Sequence, residues 1–295
     1  MDLRNLFEER GIVFRSGTES EDARKIQEIG YYKLKSFASP FANVDGNGNL
    51  TYKGLKFKDL LSRYYQDKKL RIYLFHALED IEVYLNNVIA NVLGRYGAYG
   101  YLDFKNWCDR SLTPFKIEKA QYLFKKELLR KVGRSGLPDL KKPSNISNDG
   151  FPIVWLMTDC LTLGDSVHIF LRMSPSNKQR VANRFHCSKK ELESWLNCIN
   201  FVRNQCVHNE NLIDLRLKTK PILPNQYKDK VNILSDGKLD NDKIASVTFI
   251  IKFMVLQVNS KYQFKNVYAA LCKLVSNYSA QSFGFKNDAA LKCLQ

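Results

Sequence analysis

The stretch that decides the fold is residues 58–94, which read KDLLSRYYQDKKLRIYLFHALEDIEVYLNNVIANVLG. Its apolar side chains recur at intervals of about three and four residues, the spacing that brings side chains onto one face of an α-helix. They are Leu60, Leu61, Tyr64, Tyr65, Leu70, Ile72, Leu74, Leu78, Ile81, Leu85, Val88, Ile89 and Val92. The pattern predicts a single helix of about ten turns that ends at Gly94 and buries one face in a core.

Helical patterns also cover most of the remaining chain. Ser188 and Glu191 have the spacing of a capping box, which predicts the start of a helix that continues past Val202. The apolar run 244–258 is too short to cross a membrane and carries Lys252 near its middle, so it predicts a core helix. Because no strand pattern competes with these helices, we expect an all-α bundle.

The helical and charge patterns divide the chain into segments. Residues 1–57 predict an N-terminal helical extension, and residues 58–280 predict the main helical domain. Within that domain, residues 104–150 form a basic insertion that starts as a helix and becomes an exposed loop. Residues 281–295 predict a loosely held tail, because terminal segments are often poorly ordered unless something ties them down.

The charge balance of the chain points to a polyanionic partner. Lys and Arg number 46 against 30 Asp and Glu, which gives a formal net charge of +16. Neutralising phosphates releases counterions, so RNA or DNA is the natural partner, although the chain could also be basic for no such reason. The seven cysteines form no CxxC pair and the first residues are polar, so we expect a cytoplasmic protein with free thiols and no membrane association.

The basic insertion is the first candidate for an RNA-binding surface. Nine basic residues stand between positions 116 and 142 against three acidic ones, with aromatic side chains among them. A solvated helix face would explain such a run equally well, but the net charge of the whole chain favours contact with phosphates. The candidate residues here and in the aromatic, basic segment 31–41 are Lys116, Lys119, Tyr122, Lys125, Lys126, Arg130, Lys131, Arg134, Lys33 and Lys35.

The candidate catalytic residues are Arg203, Asn204 and His208, which lie within six consecutive positions. Cleavage of RNA by its own 2′-hydroxyl needs a base, an acid and a cation that stabilises the charged phosphorane. A histidine can be the base or the acid near neutral pH, and an arginine can hold the phosphate with a fixed fork of donors. These groups need neither a metal nor a cofactor.

Helical geometry refines the roles of these residues. Asn204 and His208 are four residues apart, so on a helix they share a face and the amide could orient the imidazole. Arg203 lies about 140° around the helix from His208. One chain supplies one such histidine, so a site that uses two histidines requires a homodimer. Glu79 and Glu82 share a face of the long helix, and one of them could pair with a catalytic arginine.

Spacing alone leaves an alternative open. Arg203 and His208 could merely decorate the C-terminus of a helix, where positive side chains interact favourably with the helix dipole.

The motif Arg203-Asn204-x-Cys206-x-His208 resembles the signature of HEPN ribonucleases, in the form carried by Abi-like abortive-infection proteins. Further blocks are similar to that family and follow in the same order. They are the Gly-Tyr-Tyr-Lys-Leu segment at residues 30–41, the Leu-Glu-Asp-Ile-Glu helix at 78–85, the segment 155–166 and the segment 192–201.

The resemblance spans about residues 25–215 and implies a HEPN-type helical bundle that cleaves RNA without a metal. It also implies a toxin that acts in phage defence and is regulated by a structured small RNA. The chain departs from the family pattern at Lys33, at Asp159 and at three positions after the motif, which are Asn209, Asn211 and Ile213. A non-catalytic RNA-binding scaffold of the same fold is the alternative, and a DNA-binding regulator is a weaker one.

Overall fold

The structure is a computed structural model that describes residues 3–44, 46, 48–52 and 54–295. Its helices are α1 (Leu3–Glu9), α2 (Glu19–Ile29), α3 (Tyr31–Ala38), α4 (Phe57–Gly94), α5 (Pro114–Arg134), α6 (Val154–Met157), α7 (Leu163–Arg172), α8 (Pro175–Asn183), α9 (Lys189–Val207), α10 (Ile244–Val258), α11 (Lys265–Val275) and α12 (Asp288–Leu291). Short 3₁₀ segments lie at Ser39–Phe41, Gly100–Leu102, Phe104–Asn106, Pro138–Lys141, Pro143–Asn145, Thr158–Cys160, Asn225–Lys230, Ala280–Phe283 and Lys292–Leu294. Strands β1 (Asn43–Val44) and β2 (Leu50–Thr51) form one small antiparallel pair with Asn43 opposite Thr51. The expected all-α bundle is confirmed.

Helix α4 is the central element of the bundle. Its 38 residues match the predicted helix within one residue at the start and end at the predicted Gly94. Helices α3, α6, α7, α8, α9, α10 and α11 all pack against it. Gly94 allows close packing at the end of the helix, because a Cβ there would lie 2.9 Å from the Trp155 ring. The helix that the apolar pattern predicted is therefore the one around which these other helices pack.

Helix α9 carries the candidate catalytic residues and begins at the predicted capping box. The Ser188 hydroxyl accepts a hydrogen bond from the backbone amide of Glu191, and the Glu191 carboxylate accepts one from the backbone amide of Ser188. One face of α9, which includes Leu192, Trp195, Ile199 and Val202, is buried in the core. The opposite face is exposed to solvent, so buried and exposed side chains alternate along α9 at helical spacing.

The prediction of a loosely held tail at residues 281–295 is wrong. Phe283, Phe285, Leu291 and Leu294 are buried in the same core as the helices. The ammonium of Lys252, in the middle of α10, donates to the backbone carbonyls of residues 293 and 295 at 2.6 and 2.8 Å. Burial lowers the pKa of Lys252. The tail is held by apolar contacts in short turns, which leave no helical periodicity in the sequence.

The N-terminal extension and the basic insertion relate differently to the bundle. Phe7, Tyr31 and Phe37 belong to the core that α4 also forms, so residues described up to position 57 pack as part of the bundle. Helix α5, in contrast, buries only Leu128 and presents the rest of its surface at least partly to solvent. Among the described residues, no helix is both long and apolar enough to span a bilayer.

Candidate functional site

Arg203 turns toward α4 and meets Glu82. Its Nε lies 3.7 Å from Glu82 Oε2, and both side chains are largely buried, with 25% and 18% of their surfaces exposed. At that distance the two groups attract each other without a hydrogen bond, and Nε donates to no other group in the described part of the chain. The predicted acidic partner of the arginine is therefore Glu82, whereas Glu79 is exposed.

Asn204 and His208 lie on the open face of α9 and are both exposed. Between residues 3–44, 46, 48–52 and 54–295, neither side chain forms a hydrogen bond, so the amide does not orient the imidazole as the spacing predicted. The backbone amide of His208 donates to the carbonyl of Asn204 at 2.9 Å and closes the helix. The structure thus brings Arg203 to Glu82 and leaves the imidazole free to meet a substrate or a second chain.

The residue after His208 is held from two other helices. Asn209 has a left-handed backbone (φ +57°), a conformation that asparagine tolerates better than most residues. Its side-chain oxygen accepts a hydrogen bond from Arg71 on α4 at 3.1 Å. Its backbone carbonyl accepts one from Lys33 on α3 at 2.9 Å, and Lys33 also lies 3.6 Å from the Glu210 carboxylate. The position of His208 is thereby coupled to α3 and α4.

A buried ion pair on α4, between Asp67 and Arg71, also holds the segment that follows His208. Asp67 is fully buried, and its Oδ2 lies 2.8 Å from Arg71 Nε. Its other oxygen accepts hydrogen bonds from the backbone amides of Leu212 and Ile213 at 2.9 and 3.0 Å. Burial raises the pKa of Asp67 to about 6, although Arg71 and the two amides act in the opposite direction. Asp67 and Arg71 together connect α4 to the segment on both sides of residue 210.

Two more contacts hold the segment that follows. Arg63 pairs with the Asp214 carboxylate, and its guanidinium lies 4.7 Å from the centre of the Tyr278 ring. The side chain of Asn211 donates to the backbone carbonyl of Ser36 at 3.2 Å. Residues that depart from the family pattern after the motif thus take part in anchoring this segment.

Sequence reasoning missed Asp67 and Arg71. The signal was available, because the two residues are four apart on a helix face that also carries Leu60, Leu70 and Leu74. A charged pair on such a face must be buried together, and a buried pair is rarely without a structural purpose.

The predicted RNA-binding residues fall into two groups. Exposed side chains on α5 are Lys116, Lys119, Tyr122, Lys126, Arg130 and Arg134. The others are half-buried, and most have partners, namely Lys131 with Asp165, Lys125 over the Phe151 ring at 5.8 Å, and Lys33 with Asn209. Arg130, although exposed, pairs with Glu127, and Lys35 is half-buried.

The Lys131–Asp165 pair forms part of the first turn of α7. Burial by itself would raise the pKa of Asp165, but the Lys131 ammonium and the Thr162 hydroxyl and amide hold it below the ordinary value. Lys131 therefore joins α5 to the bundle, and its charge is only partly available to a phosphate.

Cysteine chemistry plays no part in the candidate site. Cys206, inside the motif, is buried, and burial raises the pKa of its thiol to about 12. It packs against the core as an apolar side chain. Nowhere in the described ranges do three or more His, Cys, Asp or Glu side chains form a group that could hold a metal ion.

The fold and this site define an α-helical bundle that presents an Arg-Asn-x-Cys-x-His motif at the end of a helix beside the central one. The family model of Abi-like proteins matches residues 24–214, nearly two thirds of the chain. The chain belongs to the family of Abi-like proteins. Membership links it to abortive infection, a form of phage defence. Comparisons with curated proteins and with solved structures gave no match.

Proposed function

We propose that this protein is a metal-independent endoribonuclease of the HEPN type, a cytoplasmic toxin that acts in abortive infection. The observation that carries the proposal is the arrangement around the motif. Arg203 is paired with Glu82, while His208 stands exposed at a helix end that is anchored through Asn209 by Arg71 and Lys33. Proton transfer to a bound substrate needs an imidazole that is accessible, and the anchored backbone beside His208 fixes where that imidazole starts.

The reaction follows from these groups. The 2′-hydroxyl oxygen of a ribose attacks the neighbouring phosphorus as His208 takes its proton. The bond from phosphorus to the 5′-oxygen breaks, and an acid protonates that oxygen. The products are a 2′,3′-cyclic phosphate and a 5′-hydroxyl. Arg203 stabilises the charge on the phosphorane oxygens, a role for which a guanidinium is suited because it remains charged.

The acid in this reaction would come from a second copy of the chain. One chain offers a single histidine in the motif, so a homodimer supplies a base and an acid together. Two exposed apolar residues support such a contact, since Val83 adjoins Glu82 and Val207 adjoins His208, with 61% and 44% of their surfaces exposed. Apolar side chains of this kind are candidates for burial in an interface.

Helix α5 supports regulation by a structured small RNA. Leu128 is its one buried residue, and Lys116, Lys119, Lys126 and Arg134 are exposed on it. Because such a surface would bind phosphates without reading bases, it suits a partner recognised by shape. RNA bound there could hold the toxin silent.

The test of the ribonuclease is growth in bacteria that express the chain. The unaltered chain should arrest growth and leave RNA ends with 2′,3′-cyclic phosphate, whereas His208→Ala should do neither. His168→Ala is the matched control, since His168 is also exposed but lies outside the motif. Equal toxicity of the His208→Ala chain, or arrest without cyclic phosphate ends, would contradict the proposal.

The second candidate is a non-catalytic RNA-binding scaffold of the same fold, and the exposed basic surface of α5 is the observation that favours it. It predicts salt-sensitive binding of a structured RNA that His208→Ala leaves unchanged. Removing the charges of Lys116, Lys119, Lys126 and Arg134, which are exposed on α5, should weaken that binding. A binding curve indifferent to those four changes would exclude this surface.

A further inference from the structure

A large cavity lies beside α9, on the side of the helix away from the core. Its volume is about 750 Å³, which is ample for a nucleotide-sized ligand. The first turn of α8, the stretch of α9 from Lys189 to Phe201 and the segment 217–219 form most of its walls. The side chains that matter for its chemistry are Lys178, Lys189, Lys190, Glu193, Phe201 and Lys218.

The cavity and the candidate catalytic residues share one face of α9. Asn197 and Phe201 line the cavity, and Asn204 and His208 follow at positions seven and eleven residues after Asn197. With about 100° per residue, these four side chains fall within a sector of about 60°. At a rise of about 1.5 Å per residue, Asn197 and His208 are about 16 Å apart along the helix. A strand that passes His208 along this face therefore reaches the cavity.

The charges of the cavity favour an anion. Four lysines line it against two carboxylates, those of Asp109 and Glu193. Glu193 already pairs with Lys178 at 2.9 Å. Lys189, Lys190 and Lys218 have no carboxylate within 4.0 Å in the part of the chain that the structure describes. The first turns of α8 and α9 add the positive ends of two helix dipoles.

The cavity also offers surfaces for a base. Phe201 lines the cavity and exposes 40% of its surface, so its ring is accessible to a base. The side-chain NH₂ of Asn197 donates to the Glu193 carbonyl at 2.9 Å. Its own oxygen accepts no hydrogen bond among the described residues, so it could accept one from the edge of a base.

We propose that this cavity is a nucleotide subsite of the RNA strand, in which a base stacks on Phe201 and its flanking phosphates lie against Lys190 and Lys218. The inference rests on the proposed ribonuclease function, because it names where the substrate strand lies next to the scissile phosphate. Stacking and phosphate contact together are the usual means by which proteins hold single-stranded RNA.

The test measures binding apart from cleavage. A full-length His208→Ala chain is titrated against a fluorescently labelled single-stranded oligoribonucleotide of twelve nucleotides. Adding Phe201→Leu, which keeps an apolar side chain but removes the ring, should weaken binding about five- to thirtyfold. Adding Lys190→Gln and Lys218→Gln together should lower the slope of log affinity against log salt by about 1.4, because each lost phosphate contact contributes about 0.7.

The matched control is Lys261→Gln with Lys286→Gln, which removes the same charge from two exposed lysines that do not line the cavity. As a second measurement, 4-thiouridine in the oligoribonucleotide should crosslink to cavity residues in the His208→Ala chain. Binding that responds to the control and the cavity variants alike, no crosslink in the cavity, or no binding at all would overturn the subsite.

Failure of the subsite and failure of the ribonuclease are distinguishable. If growth arrest and cyclic phosphate ends depend on His208 but the cavity variants bind RNA normally, the ribonuclease stands and the subsite is wrong. If the cavity variants bind poorly but no cyclic phosphate ends form, the subsite stands and the protein holds RNA without cutting it.

Discussion

The buried pair Asp67 and Arg71 provides the sharpest test of how the candidate site is held. Asp67→Asn keeps an oxygen for the amides of Leu212 and Ile213 but leaves the Arg71 guanidinium buried without its counter-charge. Breaking a buried pair in this way costs about 3–5 kcal/mol in the free energy of unfolding. Arg71→Met, which also removes the hydrogen bond to Asn209, should cost a similar amount.

The double variant separates the pair from its surroundings. If the two charges matter mainly to each other, Asp67→Asn with Arg71→Met should cost less than the sum of the single variants, by about 2 kcal/mol. The measurement is urea unfolding at pH 7 of chains that also carry His208→Ala, so that toxicity does not interfere. Asp59→Asn, an exposed acid in the first turn of the same helix, is the matched control and should cost less than about 1 kcal/mol.

Two results would refute this reasoning. One is a cost of Asp67→Asn no larger than that of Asp59→Asn, which would mean that the buried charge of Arg71 needs no partner. The other is strict additivity of the two single variants, which would mean that each residue acts through other contacts. Hydrogen exchange at Leu212 and Ile213 adds a local readout, since Asp67→Ala should expose both amides to faster exchange.

Three further predictions concern pH, the arginine and the tail. Because the Lys131 ammonium and the Thr162 hydroxyl and amide hold the pKa of Asp165 below its ordinary value, the unfolded state binds this proton more tightly than the folded state. Relative to Asp165→Asn, the wild-type chain should therefore lose stability as pH falls from about 6 to about 3, and urea titrations showing a gain instead would contradict the direction. Glu82→Gln should reduce the rate of RNA cleavage about tenfold or more, because Arg203 loses the carboxylate with which it pairs. Glu79→Gln is the control and should have little effect on that rate. Cleavage rates that fall equally in both variants would show that the contact between Arg203 and Glu82 does not matter for cleavage. Phe285→Ala should cost about 3–5 kcal/mol in unfolding free energy, whereas a cost near zero would restore the view of a loosely held tail.

Much of the fold could be predicted because periodicity is a local property. The stripe from Leu60 to Val92 and the capping box at Ser188 each specify a helix without reference to the rest of the chain, and both helices have nearly the predicted limits. The packing of residues 281–295 could not be predicted in this way. Its apolar residues lie in short turns whose burial depends on contact with α10 and on Lys252, which is distant in the sequence.

The candidate site shows the same division. The motif residues and the carboxylates of α4 were accessible from residue types and helical spacing, and one of those carboxylates, Glu82, does lie beside Arg203. Spacing also predicted that Asn204 would orient His208, but position on a shared face does not create a hydrogen bond when both side chains point into solvent. Several predicted RNA-binding residues, including Lys33 and Lys131, have partners elsewhere in the protein that spacing could not predict.

By itself the sequence determined that this protein is a basic helical bundle with an Arg-Asn-x-Cys-x-His motif near the end of one helix. The reason is that charge depends on residue types, and that periodicity and capping depend on residues close together in the chain. Tertiary structure alone decided which groups meet. The contacts from Arg71 and Lys33 to Asn209, and from Asp67 to the amides of Leu212 and Ile213, join residues more than a hundred positions apart. Only packing of α3 and α9 against α4 brings such residues within hydrogen-bond distance, and it leaves His208 exposed beside them.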